Sequence, residues 1–397
     1  MIDKYEKITC NGCKICKEIC PQSAIRYEID GEGFWYPKVD YDKCVSCGLC
    51  IKRCPNKTFL SNEKGQPDVK AAWSKDPNIR LASTSGGIFY ELARTVILNG
   101  GYVVGCVYDE DYKGAHHTVI HSMEELPPLM VSKYVESDTE GVYPEVRSLM
   151  EQGGKVLFVG SACQCAGLYS YLNKDYENLI VTDFLCRGAN SPKAHRKYID
   201  YLEQTYGAKI ISLRSKDKRN GWERFGQSAV FANGREYFAD HTEDLRVVAY
   251  HHGNLMARPS CLDCKFKKIP RLTDLTLGDF WGIPASEVDD IDKGISLVFV
   301  NSAKGRGLWK AVSDRVSFID KTLEDAKQEN QAIYHSASCS NNREAFLSEL
   351  DSYPFDELVK KYREYPNHGI RHYLSRIKKE IKNLVRGGTE CQLGSKR

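Results

Sequence analysis

Two runs of cysteine hold the residues of this chain best placed to do chemistry. The first reads Cys10-Asn-Gly-Cys13-Lys-Ile-Cys16-Lys-Glu-Ile-Cys20-Pro21, the second Cys44-Val-Ser-Cys47-Gly-Leu-Cys50-Ile-Lys-Arg-Cys54-Pro55. Both have the spacing C-x2-C-x2-C-x3-C-P, which holds 4Fe–4S cubanes in pairs: three close thiolates take three corners of one cube, and the fourth reaches the other cube. On that rule Cys10, Cys13, Cys16 and Cys54 hold one cluster, and Cys44, Cys47, Cys50 and Cys20 hold its partner. Such groups move electrons singly. A zinc site would need ligand pairs across a longer gap, and a disulfide framework suits a short secreted chain, which this is not.

A second set is suggested by Cys261-Leu-Asp-Cys264, a C-x2-C pair, together with Cys163 and Cys186. The last two each follow an expected strand, ending at Gly160 and Leu185. Ligands gather at the carboxyl ends of strands in α/β sheets, so these four can form a thiolate set suited to a third cubane or to zinc. The alternative is that Cys163 and Cys186 are small buried hydrophobes, a common fate of free cysteine. Cys165 rivals Cys163 as a ligand. Cys106, Cys339 and Cys391 show no partner in the sequence.

The elements that must position these thiols are legible in part. The chain has 397 residues, 42% hydrophobic and 11% aromatic, with net charge +3. A large core is expected, near-neutral charge gives no reason to invoke nucleic acid, and no apolar run is long enough to cross a membrane. A cysteine-rich chain whose N-terminus lacks an apolar signal segment suggests a reducing cytoplasm. Residues 1–62 read as a small α+β unit with an internal duplication, followed by a polar linker at Ser61–Pro67. Beyond residue 78, strands alternate with helices, which predicts an α/β core with a mixed or parallel sheet. Strands are expected at Tyr102–Tyr108, Lys155–Gly160, Leu179–Leu185 and Ile295–Val300. Helices are expected at Ile88–Leu98, near Ala166–Leu172 and around Leu308–Val316, and a hairpin at Ser228–Phe231 and Glu236–Ala239. The core divides into 78–175 and 176–325, and 326–397 reads as a helical tail. Within the tail, 371–386 is amphipathic with a basic face. It is either a terminal helix packed on its own domain or a weak membrane-surface contact.

With these segments in view, the chain resembles the beta subunit of coenzyme F420 hydrogenase/dehydrogenase, a flavin and iron–sulfur family, preceded by a bacterial ferredoxin-like domain. The matching segments are Ser83-Thr-Ser-Gly-Gly-Ile88, Ser132-Lys-Tyr-Val135, Phe158-Val-Gly-Ser-Ala-Cys-Gln-Cys-Ala-Gly-Leu168, Asp183-Phe-Leu-Cys186, Arg214–Trp222, Cys261–Cys264 and Leu277-Gly-Asp-Phe-Trp-Gly282. The resemblance implies a bound FAD and a cubane held by Cys163, Cys186, Cys261 and Cys264. One departure is Ala162-Cys163-Gln164, where the family usually has Pro-Cys-Gln.

For FAD the first candidates are Ser83, Thr84, Ser85, Gly86 and Gly87, since glycines admit close backbone approach and a following helix N-terminus can hold phosphate. The alternative is an N-capping serine beside flexible glycines. Lys133 and Tyr134 are candidates to face the flavin, and with Asp279 they are the candidate catalytic residues; Trp281 can help to position substrate or flavin. The basic loop Lys216–Arg224 is either a guide for an acidic substrate or redox partner, or a solvated loop. The doublets His116/His117 and His251/His252 read as structural, though Tyr134, His251 and His252 are also proton-donor candidates. The function expected is an FAD-dependent iron–sulfur oxidoreductase fed by ferredoxin or another redox protein and acting on a small organic substrate or deazaflavin. The alternative is a non-catalytic electron-transfer subunit of a hydrogenase or dehydrogenase.

Overall fold

A computed structural model describes residues 1–58, 65–251 and 253–363. At its start β1 (Ile25–Ile29) and β2 (Trp35–Val39) pair as an antiparallel hairpin. Each cysteine run wraps one short helical turn, Ile15–Glu18 or Leu49–Lys52. Both turns open on a left-handed residue directly after the second cysteine, Lys14 (φ 59°) and Gly48 (φ 71°). That conformation costs a non-glycine residue roughly 1 kcal/mol. At Lys14 the side chain is tied down, its ammonium donating to Asp138 Oδ2 (2.6 Å) and Glu140 Oε2 (3.0 Å).

The core is built on one mixed sheet. Its first strands are β3 (Asp68–Ser74), β4 (Tyr102–Tyr108), β5 (Ala115–Ile120), β6 (Val156–Ser161) and β7 (Leu179–Phe184). The chain then forms a separate antiparallel sheet of β8 (Ile210–Asp217), β9 (Gly226–Phe231) and β10 (Glu236–Asp240). It returns to the main sheet with β11 (Leu275–Asp279), β12 (Ser296–Val300) and β13 (Val316–Lys321). The order across the eight strands is β13-β3-β12-β11-β7-β6-β4-β5. Strands β11, β7, β6 and β4 run parallel in the middle, with antiparallel pairings on both flanks.

Central parallel strands are covered on both faces and read as apolar runs. Successive residues go to opposite faces: Val103 and Leu157 join the core under helices Ile88–Leu98 and Ala303–Val312. Val104, Val156 and Phe158 face helices Val142–Glu151 and Ala162–Leu172. The C-terminal edge of the parallel strands therefore emerges between two helical layers. Cys106, Ser161, Phe184 and Asp279 end up along that one edge.

Most expected elements are present, and the differences have local causes. The β9–β10 hairpin and the helix Ile88–Leu98 lie where the sequence pattern puts them. The helix expected near Ala166–Leu172 starts earlier, at Ala162 directly after β6, because Ser161 and Gln164 form a capping box there. The helix expected around Leu308–Val316 runs from Ala303, capped by Ser302, to Val312, and Val316 instead opens β13. Strand β3 lies ahead of residue 78, where the core was expected to begin, and sits between β12 and β13. Short helices Arg343–Ser348 and Phe355–Tyr362 pack with Pro192–Tyr206 in one shared core, so the described part of the expected tail is integral to the protein. The rest of that tail, including 371–386 and Cys391, lies outside the described residues, as do most of the expected linker and His252.

The N-terminal unit is locked to the core through buried polar contacts. Arg258, 1% exposed, donates from Nη1 to both Glu136 oxygens (2.8 Å each), from Nη2 to Trp35 O (2.9 Å) and from Nε to Cys10 O (2.9 Å). Gly12 packs against this pair with φ 71°, and a β-carbon there would lie 2.4 Å from Glu136 Oε1. Removing one partner strands a buried charge, which costs about 3–5 kcal/mol. Glu136→Ala is therefore expected to lose about that much stability in thermal or denaturant unfolding of the holoprotein. The double variant Glu136→Leu/Arg258→Met is expected to recover part of the loss, because neither charge is then left alone.

Candidate functional site

The eight N-terminal thiols divide between two cavities. Cys10, Cys13, Cys16 and Cys54 line one of about 340 Å³. Cys20, Cys44, Cys47 and Cys50 line the other. The fourth cysteine of each run thus stands with the first three of the other run. Thiol donors over apolar walls such as Ile2, Ile15 and Ile25 fit a pair of cubanes. Tyr27 OH lies 3.0 Å from Cys16 Sγ, and the Ala24 amide donates to Cys20 Sγ (3.3 Å). Cys13 and Cys16 are buried in the first cavity and Cys50 in the second, while Cys47 is exposed.

The structure also gathers Cys163, Cys186, Cys261 and Cys264 from three separate segments. Burial pushes the Cys163 thiol well up, a hydrogen bond with Ser161 opposes it, and the nearby thiols of Cys264, Cys186 and Cys261 add to the rise. Backbone amides of Gly188 and Ala189 donate to Cys186 Sγ and Cys261 Sγ (3.3 Å each). An all-thiol set with amide donors to sulfur suits a cubane. Cys165 points elsewhere: it is fully buried, with Sγ 3.6 Å from Gly160 O and 3.7 Å from Thr182 O. Helix Ala162–Leu172 carries Cys163 directly behind the N-terminal unit. A β-carbon on Gly167 would lie 3.3 Å from Cys13 Cβ and 3.0 Å from Tyr143 OH. Tyr143, itself fully buried, feels the charge of both Cys13 and Cys163.

The flavin candidates lie along the same sheet edge. Loop Ser83–Gly87 follows the short helix Pro77–Ala82 and opens helix Ile88–Leu98, but much of it is already committed. Ser85 Oγ donates to Ile295 O (2.9 Å), the Gly86 amide donates to Ser296 Oγ (2.9 Å), and Thr84 Oγ1 accepts from the Ser132 amide (3.0 Å). A β-carbon on Gly86 would lie 2.5 Å from Ala72 O, so this glycine is required by packing. Lys133 is half-buried, lies 5.9 Å over the Tyr108 ring and donates to Pro128 O. Burial lowers its ammonium to about 8. Tyr134 packs on Tyr250 with ring centroids 5.4 Å apart. Asp279 is held from two sides, by Lys216 Nζ and by Trp222 Nε1 (3.1 Å), and Trp222 stacks on Trp281 at 4.3 Å.

Lys216–Arg224 is therefore neither a solvated loop nor a free basic guide over its first half. Lys218 is buried and donates to Arg80 O, Ser85 O and Lys293 O, and Arg219 pairs with Asp217. These contacts press the β8–β10 sheet over the edge as a cap. Residues that sequence reasoning missed include Arg246, Arg258, Glu136 and Tyr250. Each acts through partners far along the chain, so no local pattern marks them.

Two segments match known families. Residues 153–325 match the family described as the C terminus of the coenzyme F420 hydrogenase/dehydrogenase beta subunit, and residues 9–58 the 4Fe-4S dicluster domain. Among curated proteins, the chain is 35% identical to the ferredoxin-type protein NapF of Haemophilus influenzae, over 14% of this chain and 31% of that protein. It is 40% identical to an uncharacterized ferredoxin of Methanocaldococcus jannaschii, over 15% of this chain and 35% of that protein. It is 48% identical to one component of the Na(+)-translocating ferredoxin:NAD(+) oxidoreductase complex of Acetobacterium woodii, over 12% of this chain and 13% of that protein. The chain thus spans about a third or less of these relatives. A solved chain of the F420-reducing NiFe hydrogenase complex from Methanosarcina barkeri aligns at 17% identity and TM-score 0.46, over 76% of this chain and 95% of that one. The protein therefore joins a 4Fe-4S ferredoxin-type domain to a domain of the F420 hydrogenase beta-subunit type. No helix among the described residues is long and apolar enough to cross a membrane.

Within this ferredoxin-fused protein the histidines differ in kind. His116 is exposed and pairs with Asp109 (2.7 Å). His117 is buried beside Ser137, and burial holds its ring at about 4. Burial, reinforced by the charge of Arg246, holds His195 at about 3. Both rings are neutral when folded and titrate near 6.5 when unfolded. Their folded values are depressed, so the stability they permit is complete above about pH 6.5 and is lost as pH falls toward about 4 and 3. His117→Phe is expected to remove on the order of 3 kcal/mol of this acid sensitivity. The check is a shallower fall of the thermal midpoint than wild type between about pH 7 and about pH 4.5.

Proposed function

We propose that this chain is an iron–sulfur flavoprotein oxidoreductase. Electrons pass between its ferredoxin-type 4Fe-4S clusters and a bound FAD, and a small organic substrate or the deazaflavin coenzyme F420 is reduced or oxidised there. The observation that carries the reading is the meeting of Cys163, Cys186, Cys261 and Cys264 at the sheet edge, with the helix of Cys163 packed on Cys13. A cubane supplies one-electron transfer and a flavin supplies both one- and two-electron transfer, so a chain holding both converts between them.

The protein's own residues have definable tasks in this reading. Cys10, Cys13, Cys16 and Cys54, and Cys20, Cys44, Cys47 and Cys50, hold the N-terminal pair. The exposed Cys47 side is where ferredoxin or another redox protein approaches. Cys163, Cys186, Cys261 and Cys264 hold a third cubane, and the Gly188 and Ala189 amides orient two of their sulfurs. Lys133 and Tyr134, close in the chain to Ser132 on the Thr84 loop, would face a flavin held at this edge. A half-buried ammonium stabilises negative charge there better than one in water. Asp279 orients Lys216 and Trp222 rather than exchanging a proton with substrate, since both its oxygens are occupied.

Metal and flavin content test the reading directly. Anaerobically purified wild-type protein is expected to contain about twelve irons, four for each of three cubanes, and one FAD per chain. Cys163→Ser is expected to lose about four irons, whereas Cys165→Ala keeps them all. A wild-type preparation with about eight irons and no flavin would retire the proposal.

A further inference from the structure

Arg246 sits at the start of helix Leu245–His251, under the cap formed by β8–β10, and is 2% exposed. Its Nη2 donates to two neutral groups, Ser215 Oγ (2.9 Å) and Gln227 Oε1. Its Nε and Nη1 have no hydrogen-bond partner among the described residues. The acid whose charge it feels, Asp244, is already taken by the hydroxyls of Tyr198 (2.6 Å) and Tyr237 (2.8 Å) and by the Val247 amide (2.8 Å). A guanidinium cannot shed its proton, and buried donors of a charged group left without acceptors are costly. The neighbouring cations are satisfied internally: Lys216 by Asp279 and Lys218 by three carbonyls. Arg246 differs from them in having two nitrogens with no partner among the described residues.

Its position gives those donors a use. The guanidinium lies 5.6 Å over the rings of both Tyr134 and Tyr198. Tyr134 packs on Tyr250, and Arg187, the residue after Cys186, lies 5.8 Å over the Tyr250 ring. Two aromatic rings therefore separate Arg246 from the core cysteine set.

We propose that Arg246 anchors an oxyanion-binding site, in which Nε and Nη1 hold a phosphate or carboxylate group of the small molecule bound between the cap and the sheet edge. A fork of paired N–H donors matches the two oxygens of such a group. The existence of the site rests on Arg246 itself; only the identity of its ligand rests on reading this edge as the flavin and substrate site.

The test uses holoprotein with its clusters intact and, as probes, inorganic phosphate, pyrophosphate and succinate. At least one of them is expected to raise the wild-type thermal midpoint saturably. Arg246→Met is expected to weaken that probe about tenfold or more, as loss of a charged hydrogen bond should, and Arg246→Lys by less. Without any probe, Arg246→Met is expected to be at least as stable as wild type, because it removes a buried charged group with two unmet nitrogens. A purely structural arginine would instead be missed by Ser215 and Gln227. The proposal is overturned if no probe shifts the wild type, or if the variant responds as the wild type does. Should Arg246→Met fail to fold, the same comparison on Arg246→Lys decides. FAD and riboflavin affinities separate the sources. Loss of the preference for FAD assigns the oxyanion to the cofactor; unchanged FAD content with a lost succinate or phosphate response assigns it to the substrate. A wild type that lacks FAD but still responds through Arg246 would end the flavin reading and leave the site standing.

Discussion

One side chain fixes the relation between the two halves of this protein. The guanidinium of Arg258, almost fully buried, binds Cys10 O, Trp35 O and both oxygens of Glu136. Its backbone is equally engaged: the Arg258 amide donates to Ala189 O (2.8 Å), and Arg258 O accepts from the Cys261 amide (3.0 Å). The segments carrying Cys10, Cys186 and Cys261 thus meet at one residue. A buried ion pair is poor evidence for net stability, because desolvation consumes most of its attraction. What it does supply is geometry, since the carboxylate, the guanidinium and two carbonyls are satisfied together in one arrangement. Gly12 has to be bare and left-handed for that arrangement to close.

The sheet explains why the cysteines meet where they do. Parallel strands β6 and β7 end side by side, with Gly160 opposite Asp183. The residues that follow each strand leave from the same edge, which is how α/β sheets collect ligands from distant segments. After β6 the chain turns straight into a helix whose capping box fixes Cys163 at its second position. After β7 it stays extended, and Cys186 is held by the amide of Gly188. Asp183 faces inward and pairs with Arg271, also buried, which ties β7 to the segment beyond Cys264. Edge topology brings the thiols near one another, and these local devices aim them.

How much of this was legible in the sequence depends on the range of the interaction. The cysteine runs are local patterns, and the exchange of Cys20 and Cys54 between two cavities follows from spacing alone. Strands β4, β6, β7 and β12 were legible as apolar runs, and the β9–β10 hairpin as the paired segments Ser228–Phe231 and Glu236–Ala239. Strand β3 was missed because Asp68-Val-Lys-Ala-Ala-Trp-Ser lacks a β-branched run, and its place depends on β12 and β13, more than 200 residues later in the chain. The basic loop was misread because composition marks Lys216 and Lys218 as surface charges, whereas the fold spends both inside the cap. Arg258 and Glu136 are 122 residues apart, and neither carries any local mark of its role.

Comparing the buried cations separates construction from function. Arg80 places its three nitrogens on the carbonyls of Gly294, Asp289 and Asp290, each at 2.8 Å. Lys218 spends its ammonium on three carbonyls, and Arg258 and Arg271 each hold a carboxylate. In all four, folding supplies a carboxylate or carbonyls in place of water, as burial of a charge demands, and only Nε of Arg271 is left without a partner among the described residues. Arg246 is as deeply buried, yet two of its nitrogens have no such acceptor among the described residues. A sequence in which every other level agrees with the fold departs from local consistency chiefly where activity requires it. The cap therefore has two jobs. Through Lys216 and Lys218 it closes over the sheet edge, and it covers Arg246, a positive charge with two nitrogens that no described residue meets.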